Sequence, residues 1–108
     1  SPLQLVPRLI KLDLEGFELA ALRGLERLIE RHHPWIVCEI TDPYLRKFGD
    51  CATALMAWML RQGYTARRVD AAAPMAAWAA CEDVETIAEE SQFDAVFVPP
   101  GALWPEQS

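Results

Sequence analysis

The sequence predicts an α/β fold, and three observations predict it. A mostly apolar run from Arg8 to Leu14 gives way at Glu15 to apolar residues spaced by three and four. A second run, Trp35 to Thr41, is β-branched and aromatic and follows one helix-length later, as a parallel strand reached by a right-handed crossover would. A last run of the same kind, Phe93 to Val98, is stopped by Pro99-Pro100-Gly101.

Each element has its own justification. Ser1 to Pro7 reads as an extended lead, and the strand at Arg8 to Leu14 is apolar enough to be buried on both faces. The first helix carries one stripe through Phe17, Ala21, Leu22, Leu25, Leu28 and Ile29. Glu15 and Glu18 at its start and Arg27, Arg31, His32 and His33 at its end suit the macrodipole, and Pro34 stops it. After the second strand Asp42-Pro43 opens a loop. Asp50 is a suitable N-cap for a second helix with its stripe at Ala52, Leu55, Met56, Met59 and Leu60. Gly63 fits the left-handed position past that helix, with Tyr64 placed to pack on Met59, and a third strand starts near Tyr64. From Asp70 to Ala80 seven of eleven residues are alanine, broken by Pro74, which is compatible with a helix or an irregular excursion. There is no internal repeat and no linker, so residues 1–108 read as one unit.

Composition excludes several classes. Ten basic against sixteen acidic side chains give a net charge of −6, the wrong sign for a nucleic-acid binder or an anionic membrane surface. The hydrophobic fraction of 52% supplies a core and excludes intrinsic disorder. No apolar stretch approaches the roughly 20 residues of a bilayer span. Cys38, Cys51 and Cys81 are odd in number and widely spaced, which fits buried thiols in a reducing compartment, and no signal-peptide core is visible, so a cytoplasmic location is expected. His32 and His33 are adjacent, unlike a metal-binding i, i+4 pair, and no metal is expected. Both read as solvent-facing, and Trp35, Trp58, Trp78 and Trp104 as core or interface residues.

Ligands of open α/β sheets bind beyond the carboxyl ends of the strands, here Asp13 to Glu18 and Glu39 to Asp42. Lys11, Asp13, Glu15 and Glu18 crowd four ionisable groups around one turn, with Gly16 where a ligand or another backbone comes close. The plainer reading of the same residues is that Glu15 and Glu18 complement the helix dipole and Gly16 eases the turn. Lys11 and Glu39 each interrupt an apolar strand and are expected to meet as a buried ion pair.

The run Leu9-Ile10-Lys11-Leu12-Asp13-Leu14-Glu15-Gly16-x-Glu18, followed by Leu22-x-Gly24, Pro34 and the strand end Glu39-Ile40, resembles the FkbM family of S-adenosylmethionine-dependent methyltransferases. The resemblance is dense over the first forty residues. It implies the C-terminal portion of a Rossmann-like class I methyltransferase sheet, mostly parallel with an antiparallel last strand, in which Leu9 to Asp13 is the fourth of seven strands. The implied activity is methyl transfer from S-adenosyl-L-methionine to a hydroxyl of a small molecule, sugar or glycolipid. Asp13 would then act as base or stand near the sulfonium, and Glu15 would orient the acceptor, with Gly16 and Glu18 at the substrate. The glycines at 16, 24, 49, 63 and 101 form no G-x-G turn, so the cofactor-binding residues are expected upstream of Ser1. Two expectations accompany this reading. The segment alone should be inactive and should self-associate through an open sheet edge. The alternative is a remnant of the domain serving as an interaction module.

Overall fold

The computed structural model describes residues 8–69, 72–74 and 92–104. Most of the alanine-rich stretch, with Trp78 and Cys81, lies outside the described residues. The elements are β1 (Leu9–Leu12), α1 (Glu18–Gly24), α2 (Glu26–His32), β2 (Trp35–Thr41), α3 (Asp42–Arg46), α4 (Ala52–Arg61), β3 (Thr65–Arg68) and β4 (Gln92–Val98).

The four described strands form one sheet in the order β1-β2-β4-β3. Parallel pairing runs from Leu9 opposite Trp35 to Leu12 opposite Cys38. The last strand is antiparallel, as expected, but it inserts between β2 and β3 and pairs antiparallel with both. The sheet is therefore mixed rather than mostly parallel, since only one of its three ladders is parallel.

Strand periodicity sends alternate residues to opposite faces. Ile36, Cys38 and Ile40 of β2 and Phe93, Ala95 and Phe97 of β4 turn to one face, where they pack with Leu19, Leu22, Ile29, Leu55, Met56 and Met59 of the helices. The other face carries Lys11, Trp35, Val37, Glu39 and Asp94, which are exposed or half-buried, and Leu9 is 62% exposed. The first strand is thus buried on one face, not two, because the described helices all contribute to the same core.

The expected first helix is two. Leu25, with φ −101° and ψ 12°, interrupts it just after Gly24, a poor helix former, and α2 resumes at Glu26. Phe17 is 47% exposed and meets the Phe48 ring edge-on at 5.6 Å, while Leu19, outside the expected stripe, is fully buried. The Asp42-Pro43 segment is not a loop but the start of α3, with proline in the first turn where its missing N–H costs nothing. The N-cap of α4 is Cys51, whose Sγ accepts from the Ala54 N–H at 3.4 Å. Asp50 instead binds Arg23 at 3.4 Å.

The close of α4 agrees with the sequence in detail. Gly63, at φ +90°, donates its N–H to Leu60 O, and Tyr64 donates its N–H to Met59 O, the paired bonds of a Schellman ending. Tyr64 then crosses the core, and its hydroxyl donates to Pro34 O at 2.7 Å.

Candidate functional site

The site is built on the turn that follows β1. Leu12 is buried in the core, and Asp13, Leu14 and Glu15 emerge beyond it as exposed residues. Glu15 has φ +51° and Gly16 φ +110°, so the chain reverses through two consecutive left-handed residues. A left-handed glutamate is strained, and such strain persists where the surroundings over-determine the backbone.

Those surroundings are supplied by Glu18. It is 2% exposed, the buried charged residue among those described. One carboxylate oxygen accepts the Leu14 N–H at 2.7 Å and the other the Gly16 N–H at 2.8 Å. Glu18 therefore holds the turn from behind, and neither oxygen faces outward toward an acceptor. Gly16 answers to a different neighbour. A Cβ there would collide with the Tyr44 carbonyl and lie 3.1 Å from the Leu45 nitrogen, so the close approach is that of the α3 backbone.

The turn opens on a hollow of about 260 Å³ lined by Asp13, Glu15, Gly16, Glu39, Thr41, Tyr44 and Gln92. It lies beyond the carboxyl ends of β1 and β2, where an α/β sheet offers its ligand site. Asp13 and Glu39 are adjacent there, one step past the Leu12 and Cys38 pair. The Asp13 charge raises the Glu39 carboxyl above the usual carboxylate range. A hydrogen bond from the Gln92 amide at 2.9 Å opposes that rise, and a hydrogen bond shared with Asp13 adds to it. The Lys47 ammonium sits 5.1 Å from the Tyr44 ring centre.

Asp42, at the start of α3, faces elsewhere. It accepts the Ala52 N–H at 2.8 Å and the Arg46 guanidinium, and these two bonds, in that order, hold its carboxyl below the ordinary range. Asp42 thereby ties α3 to the first residue of α4 and fixes the backbone that Gly16 packs against.

Of the residues singled out from sequence, Asp13, Glu15 and Gly16 are brought together, and Glu39 joins them. The expected Lys11–Glu39 ion pair does not form. In-register pairing sets Lys11 opposite Val37 and Glu39 opposite Asp94, and the ion pairs among the described residues are Arg23–Asp50 and Arg46–Asp42. Nor is either residue buried, since Lys11 is exposed and Glu39 half-buried on the open face. Thr41, Tyr44 and Gln92 were not singled out. Gln92 comes from a strand some fifty residues away, and only its register opposite Thr41 brings it to Glu39.

Three carboxylates at one mouth suit a cationic group. Nothing among the lining residues resembles a phosphate cradle, and among the described residues no group of three His, Cys, Asp or Glu side chains could hold a metal ion. No described helix is long and apolar enough to cross a membrane.

No curated protein and no solved structure matches the chain. The family model described as the Methyltransferase FkbM domain matches residues 4–66, more than half of the chain, and contains the whole turn from Asp13 to Glu18 and the strand end at Glu39. On that match the chain belongs to the FkbM methyltransferase domain family, whose reaction is the transfer of a methyl group from a methyl donor.

Proposed function

We propose that this chain supplies the acceptor side of an S-adenosyl-L-methionine-dependent methyltransferase that acts on a hydroxyl of a small molecule, sugar or glycolipid. One observation carries the reading: Asp13, Glu15 and Glu39 converge on a single hollow at the carboxyl ends of β1 and β2. When bound, the sulfonium of the cofactor supplies an electrophilic methyl group. The chain's own residues supply position and proton handling.

Asp13 is exposed at the end of its strand and is the base of this scheme, positioned to take the proton of the acceptor hydroxyl. Glu15, held left-handed by the turn, accepts a hydrogen bond from the acceptor and aligns it. Glu39 bonds to the Gln92 amide and borders Asp13, keeping a second acceptor beside the base. The carboxylate lining favours neutral polyhydroxyl or cationic acceptors over phosphorylated ones, because a second anion would be repelled.

The test is steady-state kinetics on the complete enzyme. Asp13→Asn should lower kcat by roughly 10²–10⁴-fold, the usual range for a lost general base, with a melting curve close to that of the parent. Unchanged turnover, or a loss explained wholly by unfolding, would return Asp13 to a structural role.

A further inference from the structure

We infer that the aromatic surface beside the hollow seats the apolar part of the acceptor, so that the acceptor is amphipathic, with a hydroxylated head in the hollow and an alkyl or aryl group across its rim. This rests on the acceptor site proposed above and narrows it to one class of acceptor.

Large apolar side chains left at a surface are ordinary when scattered singly and informative when they gather. Among the described residues the exposed aromatic side chains are Phe17, Tyr44 and Phe48. They gather with Leu14 on two neighbouring segments, the turn after β1 and the stretch from α3 into the turn that follows it. All four stand between 41% and 53% exposed. The Phe17 N–H donates to Leu14 O at 3.3 Å. The edge-on contact of Phe17 with Phe48 joins the two segments at the surface, and the contact of buried Gly16 with the Tyr44 carbonyl joins them beneath it.

Sequence order makes this surface the rim of the hollow. Leu14 and Phe17 flank Glu15 and Gly16, which line it, and Tyr44 belongs to both surface and lining. The lining offers the carboxylates of Asp13, Glu15 and Glu39 and the Gln92 amide, whereas the rim on this side is aromatic. A ligand that satisfies both is polar at one end and apolar at the other.

Two sizes select the occupant. The hollow, at about 260 Å³, is smaller than the roughly 300–1,000 Å³ that encloses a drug-sized ligand, so it takes a head group and leaves the rest of a larger acceptor outside. The four exposed side chains offer roughly 300–400 Å², about half of the roughly 800 Å² per partner that a stable protein interface buries. A protein segment laid over them would also cover Tyr44, a wall of the hollow, and shut the acceptor out. A hydrocarbon group needs less, because each methylene carries roughly 30 Å² of apolar surface and a chain of about eight carbons covers the patch.

Methyl β-D-glucoside and octyl β-D-glucoside, the second kept below its micelle-forming concentration, share a head and differ in the apolar group. Titration calorimetry on the complete protein should show the octyl compound binding about tenfold more tightly or better, since a methylene buried on one side contributes roughly a factor of two. Ligand-observed saturation-transfer NMR should show its chain protons in contact with the protein as well as its sugar protons. Phe48→Ser and Phe17→Ser should each remove most of the preference and leave methyl glucoside binding unchanged. Equal affinities for the two glucosides overturn the inference, as does binding of neither. A preference that survives both substitutions also overturns it, and so does an equal loss of both glucosides. Should a variant fail to fold by circular dichroism, the affinity ratio and the chain-proton contacts of the parent decide. Asp13→Asn separates this inference from the function it rests on. Unchanged turnover in that variant removes the base and leaves a Phe48-dependent preference standing, whereas no preference in a parent that needs Asp13 removes the apolar seat alone.

Discussion

Gly16 and the Tyr44 carbonyl are in such close contact that no side chain fits between them. The glycine of the motif therefore serves the meeting of two backbones, the turn after β1 and the helix α3, and through that meeting it sets the distance between Glu15 and Thr41 across the hollow. Gly16→Ala faces both a left-handed φ of +110° and this clash. We expect it to destabilise the chain by about 2–4 kcal/mol, read as a lowered denaturant midpoint with an unchanged slope. A midpoint equal to the parent's would show that α3 can shift aside.

Glu18→Gln keeps the shape of the side chain but turns one of its two acceptors into a donor facing a backbone N–H. The expected cost is about 1–3 kcal/mol, in the range for a buried bond lost at a charged acceptor. Because Glu18 acts through the turn, binding of an acceptor should weaken in step with stability and recover under stabilising osmolytes. Weakened acceptor binding at full stability would place Glu18 at the substrate instead.

Tyr64→Phe removes the donor to Pro34 O across the core. Loss of that bond should cost about 1–2 kcal/mol and lower Tm by several degrees. Burial pushes the Tyr64 hydroxyl up to about 12 from its ordinary value near 10. A pKa raised on folding means that the contribution is complete below about 10 and is lost as pH rises toward about 12. Thermal melts from neutral to alkaline pH should show that loss in the parent, and a smaller one in Tyr64→Phe.

Glu39→Gln removes one of the three carboxylates that line the hollow. The Glu39 carboxyl is raised chiefly by Asp13, so the folded state favours its protonated form. Its stabilising contribution is present below the unfolded carboxylate range and lost as pH rises through the raised folded value. The variant should therefore melt higher than the parent near neutral pH and converge with it in acid. A variant less stable than the parent at neutral pH would mean that the Gln92 hydrogen bond outweighs the Asp13 repulsion.

What was legible in the sequence is what depends on neighbours along the chain. Trp35 to Thr41 is a strand because its residues alternate and branch, α4 closes just before Gly63 because glycine readily takes the left-handed conformation of a Schellman ending, and the motif from Lys11 to Glu18 carries the family resemblance. Proximity in sequence also sufficed to place Asp13, Glu15 and Gly16 at one turn. What only the tertiary structure decided depends on register and layering. Glu18 is indistinguishable from Glu15 in sequence, yet the turn folds back on it and spends both its oxygens on backbone N–H groups. Lys11 and Glu39 looked like partners, but in-register parallel pairing offsets them by two residues and leaves Glu39 beside Asp13. The insertion of β4 between β2 and β3 brings Gln92 to Glu39 and makes the sheet mixed. Strand order and register arise from the packing of distant segments, and no spacing along a single chain encodes them.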